Sequence, residues 1–418
     1  MVSKITDDAV QRLRERIGVP RPHGVPPHYL LPNADAFRHV AEAYGDDNPL
    51  WCDPSYGPTT RWGGVIASPH LVGGDTMIGE DEVTAIDPHL AELMKGDPLR
   101  GVHAFYSGSS REWWNPLFPD CRVSRRNALV GVHDKPSEFA GRSVHEWTAE
   151  VFAVHGGPVL SAQYLLMIRA ERERAIEKAK NETVEIAPYS DEQIDSISRS
   201  VATETEQRRG NVPRYWEDVQ IGDSLGPLTK GPLRVTDIVV WHTGMGMGLY
   251  GVKALRLGHA QRQRVPRFFR PDSLNIPDVQ QRVHWDTDWA KAAGNPAPYD
   301  YGRMRETWLI HLCTDWMGDA AWLWKLDCQF RKFNYVGDTH WVEGTVRNKF
   351  ETDDGAKAIE VELSARNQRA EVTTTGSATM LLPSYSAGDP SLPPAPGGAT
   401  TCQEVLTALA HRFAAEAP

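Results

Sequence analysis

The clearest hydrophobic pattern of the chain lies in its second half. Large apolar residues recur there every four positions: Met304, Trp308, Leu312 and Trp316. This spacing places them on one helix face, and Gly302 and Gly318 lie where such a helix would begin and stop. We therefore predict a central, buried helix between these two glycines.

Strand patterns follow this helix. From residue 322 to 330 apolar residues alternate strictly with others, which predicts a strand. Three more strand-like segments come next: HWVEGTVRNKF, AIEVELSARNQ and VTTTGSATMLL. A long helix followed by a meander of antiparallel strands predicts a sheet wrapped around that helix.

The first half repeats this theme loosely. A helix is predicted over residues 34–44 with Asn33 as its cap, followed by strand candidates in REWWNPL, RVSRRNALVGV, EWTAEVFAVH and PVLSAQYLLMI. The economical interpretation is an α+β fold made of a duplicated unit.

Charged and Pro/Gly-rich stretches divide the chain. We predict a first unit over residues 20–170, a charged helical linker over 171–214 and a second unit over 215–385. Residues 386–418 form a Pro/Gly-rich linker and a short final helix from residue 402 to 416.

Composition narrows the class of protein. The 418 residues include 55 acidic and 45 basic side chains, a net charge of −10, which argues against wholesale binding to nucleic acid or membrane surfaces. No run approaches the roughly 20 apolar residues of a membrane span, so a cytoplasmic location is expected. The five cysteines are scattered without a CxxC pair, which predicts neither a disulfide framework nor a cysteine metal site.

One basic segment stands out in this acidic chain. Residues 245–271 contain no Asp or Glu but carry Lys253, Arg256, Arg262, Arg264, Arg267 and Arg270. The segment belongs to an apparent insertion, residues 245–277. Arg and Lys clusters suit phosphates, and pairing with surplus carboxylates of the other unit or another subunit is an equally good explanation.

Candidate chemistry concentrates in the stretch HWDTDWAKAAGNPAPYDYG, residues 284–302. It contains His284, Asp286 and a Pro-rich turn leading to Gly302 at a helix start. An imidazole, a carboxylate and a helix N-terminus are the parts needed to move a proton beside a polarised carbonyl. The structural alternatives are a histidine half-buried beside Trp285 and a glycine that only permits a turn.

On these residues the chain resembles the MaoC-like acyl-CoA dehydratases, also called type-2 enoyl-CoA hydratases, in their double hotdog form. The family signature is present in two damaged copies. The first, YGDDNPLWCDPSY, keeps Asp46 but has Trp51 where the histidine belongs; the second keeps His284, Asp286, Ala290 and Gly294. In the second copy NIPDVQQRV replaces the Gly-Asp-x-Asn-Pro part, so Asp278 lies one residue farther from the histidine than in the family.

The resemblance implies a double hotdog fold and the reversible hydration of a 2-enoyl-CoA, which needs no metal or other cofactor. His284 would be catalytic, with Asp278 as its carboxylate partner and Asp46 in reserve, while the Gly302 N–H would bind the thioester oxygen. Further substrate-binding candidates are Asp286, Tyr299, Tyr301, Arg331, Lys332, Asn334, Arg264 and Arg267. Asp286 is also expected to cap the following segment.

The resemblance also suggests partners and alternatives. An acyl-CoA thioester is the expected substrate, and a homodimer is the expected assembly. Hotdog folds also include thioesterases and non-catalytic acyl-binding halves of larger assemblies, so both alternatives remain open.

Overall fold

A computed structural model describes residues 4–23, 26–73, 78–137, 141–171, 186–246 and 252–415 of the chain. Part of the predicted linker, residues 172–185, and part of the predicted insertion, residues 247–251, lie outside these ranges. Within them, no helix is both long enough and apolar enough to span a membrane.

Two groups of strands, one from each half of the chain, form a ten-stranded sheet. The first group is β1 Glu80–Asp81, β2 His103–Trp113, β3 Val123–Ser137, β4 Gly141–Val154 and β5 Val159–Ala170. The second is β6 Ser224–Lys230, β9 Trp322–Phe330, β10 His340–Glu351, β11 Lys357–Asn367 and β12 Val372–Leu381. The order is β1-β3-β4-β5-β2-β9-β12-β11-β10-β6. The antiparallel pair β2 and β9 joins the two units edge to edge.

The helices and a small hairpin complete the fold. The helices are α1 Asp7–Arg14, α2 Ala34–Ala43, α3 Pro49–Cys52, α4 Asp191–Ala202, α5 Glu204–Gln207, α6 Val235–Gly244, α7 Leu255–Arg264, α8 Thr287–Ala292, α9 Gly302–Met317 and α10 Cys402–Ala415. The hairpin pairs β7 Phe269–Pro271 with β8 Pro277–Val279, and with α7 it forms the described part of the insertion.

The predicted central helix is confirmed. Helix α9 runs from Gly302 to Met317 with Gly318 as its C-cap, and every residue from Arg303 to Met317 is buried. It packs against the strands of the second unit. The predicted strand at residues 322–330 is also confirmed, although a bulge opposite Met380 buries Leu323 together with Trp322.

The first unit departs from this arrangement. Its sheet carries α10 on one face, in an apolar cluster with β3, β4 and β5. The other face bears polar side chains that reach α9, among them Arg111 and Gln163. Helix α2 packs against α6 of the second unit.

The contact between α2 and α6 explains one glycine. A Cβ added at Gly244 would lie 2.2 Å from the Ala43 Cβ and 2.6 Å from the His39 carbonyl oxygen. Glycine is needed here because the two helix backbones approach closely. The two units lie side by side, and α9 is buried between the sheet and the helices. This is the double hotdog fold that was predicted.

Candidate active site

His284 is held as a neutral base. It ends a 3₁₀ helix, Gln280–His284, and its Nδ1 lies 2.8 Å from the Tyr299 carbonyl oxygen. A carbonyl can only accept, so Nδ1 carries the proton and Nε2 keeps its lone pair. Burial lowers the pKa of His284 to about 4, so the ring is neutral near pH 7.

Gly302 starts α9 directly after the residues that hold His284. The N-cap of this helix is Tyr301, whose side chain makes no capping hydrogen bond. The Tyr301 ring instead stacks on the His284 ring, with centroids 3.8 Å apart. The first N–H groups of a helix lack intrahelical acceptors and favour negative charge. The structure therefore brings an imidazole base and a helix N-terminus to one site through Tyr301.

A second feature explains why residue 302 is glycine. A Cβ there would lie 2.8 Å from Cε2 of Phe330. Glycine is therefore required because residue 302 packs closely against an aromatic ring. A positive φ is not the reason, because the backbone of Gly302 does not have one.

Neither predicted carboxylate partner contacts His284 through a hydrogen bond or an ion pair in the described part of the chain. Asp278 lies in β8 opposite Arg270, and its Oδ1 accepts from the Val279 N–H at 2.7 Å. Asp278 thus belongs to the hairpin, where its carboxylate binds the neighbouring backbone, and most of the residues that separate it from His284 lie in the 3₁₀ helix Gln280–His284.

Asp46 belongs to a different cluster. It is fully buried and accepts hydrogen bonds from the Tyr44 hydroxyl, the Asn48 N–H and the Trp51 indole. Its Oδ1 is 3.7 Å from Nε2 of His311 in α9. Trp51, which replaces the signature histidine, therefore binds the signature aspartate of the same copy.

The cluster of Asp46, His311 and Asp315 has ligand atoms close enough for a metal ion, but its hydrogen bonds do not suit one. The Lys230 ammonium lies 2.9 Å from Nδ1 of His311. Lysine can only donate, so Nδ1 accepts and the proton of the neutral ring is on Nε2. The nitrogen that faces the carboxylates then has no lone pair for a metal.

Sequence reasoning missed His242. It lies in the last turn of α6, and its ring meets Tyr301 edge-on with centroids 4.3 Å apart. Burial, with a smaller effect from His284, lowers the pKa of His242 to about 3. Its position in WHTG, a helix end followed by glycine, is a weak signal by itself.

The remaining predicted residues have varied surroundings. Asp286 caps α8 by accepting from the Trp289 N–H at 2.9 Å, as expected. The Nδ2 group of Asn334 donates to the buried Asp300 carboxylate at 2.9 Å, which fixes the turn between Tyr299 and Gly302. Lys332 pairs with Glu371 at 2.7 Å.

Arg331 stays near the sheet surface, where its Nε donates to the Thr375 hydroxyl at 3.2 Å. Tyr299 contacts His284 edge-on, with ring centroids 4.7 Å apart. Of the predicted set, Tyr299 and Tyr301 thus lie at His284, whereas Arg331 binds Thr375 of β12 and Lys332 binds Glu371, which precedes β12.

Six cations form what we call the basic surface: Lys253, Arg256, Arg262, Arg264, Arg267 and Arg270. All but the half-buried Arg262 are exposed. Across the described ranges, none of them forms an ion pair with a carboxylate, while many other arginines do. Pairing with carboxylates of the other unit therefore does not account for this surface.

Comparisons with known proteins identify the fold. Neither a protein-family model nor a curated protein matches the sequence. A solved MaoC-like dehydratase is 17% identical, with a TM-score of 0.57 over 88% of this chain and 99% of that one. This chain has the double hotdog fold of the MaoC-like dehydratases.

A second solved structure agrees with this assignment. It is a MaoC domain protein dehydratase from Chloroflexus aurantiacus, 12% identical, with a TM-score of 0.51 over 88% of this chain and 96% of that one. At these identities the likeness to MaoC-like dehydratases concerns the fold.

Proposed function

We propose that this chain hydrates a 2-enoyl-CoA or, in the reverse direction, dehydrates a 3-hydroxyacyl-CoA. The observation that carries the proposal is the neutral His284, whose Nε2 keeps a lone pair, at the N-terminus of the buried helix α9. The fold shared with MaoC-like dehydratases supports the same reaction class.

The chemistry follows from these two groups. The Gly302 N–H donates a hydrogen bond to the thioester oxygen and stabilises the enolate that forms when water adds to the β-carbon. Nε2 of His284 takes a proton from that water and then returns a proton to the α-carbon. Because the pKa of His284 is lowered to about 4, the base form predominates at neutral pH.

Substrate binding would use the basic surface. Coenzyme A carries phosphates, and arginine binds phosphate oxygens with charge-assisted hydrogen bonds. Arg264 and Arg267 are exposed and form no ion pairs with described carboxylates, so they are free to receive the nucleotide end. The expected cytoplasmic location and homodimer stay predictions.

Enzyme assays with a His284→Ala variant test the proposed reaction. A panel of 2-enoyl-CoA thioesters is followed by loss of the conjugated-thioester absorbance, and free thiol is measured in parallel. We expect hydration by the natural chain and a loss of about 10²–10⁴-fold in the variant. His89→Ala, at an exposed histidine, is the control and should retain activity.

Each other result has a definite meaning. Release of thiol instead of hydration would identify a thioesterase. Turnover only after a partner protein is added would identify a binding half of a larger assembly. Unchanged hydration by His284→Ala would refute the site.

Kinetics with Arg264→Gln and Arg267→Gln test the basic surface. Each exposed contact is worth about 0.2–1 kcal/mol, so the double variant should raise KM for the CoA thioester several-fold, most clearly at low salt. A pantetheine thioester, which lacks the nucleotide phosphates, should show no such change. Equal effects on both substrates would contradict phosphate binding here.

A further inference from the structure

His242 lies at the proposed site without being part of the family signature. The side chain is 5% exposed, at the end of α6. The Tyr301 ring contacts two imidazoles: His284 stacks on it at 3.8 Å, and His242 meets it edge-on at 4.3 Å. The two histidines are therefore neighbours of one phenol ring, although 42 positions separate them in the chain.

Two buried polar atoms beside this ring have no hydrogen-bond partner within the described ranges. They are Nε2 of His242 and the indole Nε1 of Trp241, whose ring lies parallel to Tyr301 at 6.1 Å. Buried polar groups are almost always hydrogen-bonded, and an exception in a native fold calls for an explanation. A water or ligand atom bound at this place would satisfy them.

The carboxylates that the signature supplies are engaged elsewhere. Asp278 accepts from its neighbouring backbone N–H, and Asp46 is enclosed by Tyr44, Asn48 and Trp51. A second group is nevertheless needed to orient water between the base and the β-carbon.

We infer that His242 is this second group: it binds the reacting water together with His284, in the role that the family gives to a carboxylate. This inference rests on the proposed hydratase activity. It makes the site a pair of histidines from α6 and from the 3₁₀ helix before α8, arranged around Tyr301.

The reaction balances with these residues alone. One O–H of the water donates to Nε2 of His242, and the other gives its proton to Nε2 of His284 as the oxygen bonds to the β-carbon. The π electrons of the double bond move toward the thioester, and the enolate oxygen accepts from the Gly302 N–H. His284 then delivers its extra proton to the α-carbon, so both histidines end neutral.

The surroundings of His242 keep its ring neutral and able to accept a hydrogen bond. Burial and the neighbouring His284 lower its pKa to about 3, so it stays neutral at pH 7. The titratable groups that contact the two rings include the phenols of Tyr299 and Tyr301. The carboxylate of the buried Asp300, between these tyrosines in the chain, accepts from Asn334. A neutral acceptor orients water without placing a charge in the apolar site.

His242→Leu and His242→Gln separate catalysis from structure. Leucine keeps much of the volume but cannot accept a hydrogen bond, and it removes a buried unpartnered nitrogen. We expect kcat of His242→Leu to fall about 10²-fold, with KM nearly unchanged and a melting temperature no lower than that of the natural chain. Glutamine, whose amide oxygen can accept, should restore kcat to within about tenfold of the natural chain.

The controls make each outcome decisive. Thr243→Ala changes the exposed neighbour of His242 and should leave kcat unchanged. Unaltered kcat in His242→Leu would overturn the inference, and so would a fall in kcat accompanied by a lower melting temperature and no recovery with glutamine. Failure of the proposed function is recognised separately, because the natural chain would then hydrate no 2-enoyl-CoA, or His284→Ala would keep its activity.

Discussion

Replacing Glu306 with Gln removes the negative charge from a buried ion pair that joins the two units. Glu306 lies in α9 and Arg111 in β2, and their side chains are 0% and 1% exposed. Arg111 donates through Nε to Oε1 at 2.7 Å and through Nη2 to Oε2, and the Ser109 hydroxyl also donates to Oε1. Although burial acts to raise it, the Arg111 charge holds the pKa of Glu306 below its ordinary value.

The expected loss of folding stability follows from the charge that is left without a counterion. Removing one partner of a buried pair leaves the other charge without a counterion and costs about 3–5 kcal/mol. In Glu306→Gln the buried guanidinium of Arg111 would be the charge left without a counterion. Its Nη1 already has no hydrogen-bond partner in the described structure. Replacing both residues by apolar ones, Arg111→Met with Glu306→Leu, should recover much of the stability, because no unpaired charge remains.

Urea unfolding followed by tryptophan fluorescence and circular dichroism measures this effect. A matched control is Glu362→Gln in the Arg347–Glu362 pair, whose side chains are 60% and 62% exposed. An exposed pair is worth about 0–1 kcal/mol. Coincidence of the two spectroscopic transitions permits conversion of the midpoints to free energies of unfolding.

The comparison between the two Glu→Gln variants decides the matter. Equal midpoint shifts for Glu306→Gln and Glu362→Gln would refute the reasoning that burial makes the first pair costly to break. A double apolar variant less stable than Glu306→Gln would refute the charge explanation and indicate that packing dominates.

Two further predictions concern acid stability and the start of α9. Burial lowers the pKa of several histidines below the unfolded value of about 6.5, among them His242, His284 and His340. Below that pH the unfolded state therefore binds more protons than the folded state. The free energy of unfolding should fall as pH drops from about 6.5 toward 4, by up to about 1.4 kcal/mol per pH unit for each, and a melting temperature constant over this window would contradict this. Gly302→Ala forces a Cβ to within 2.8 Å of Phe330. In thermal melts the variant should lose about 1–3 kcal/mol of folding stability, and its kcat should be lower. A fully active, equally stable variant would show that the helix start tolerates a side chain.

Local patterns in the sequence determined the elements themselves. Apolar residues four apart between Gly302 and Gly318 predicted the bounds of α9, and alternation predicted β9 from residue 322 to 330. The side chain of Asn33 caps α2 as expected. These features depend on contacts within a few residues, so the linear pattern contains what they need.

Tertiary structure alone decided how the elements meet. The sequence pattern predicts one apolar face for α9, yet its polar face is equally buried. Arg111 of the first unit pairs with Glu306 there, and Asp46 of the first unit lies 3.7 Å from His311. It also decided that Asp46 faces His311 and that His242 joins His284 at Tyr301. Such contacts connect positions far apart in the chain, and their geometry depends on sheet pairing and helix packing that no local period encodes.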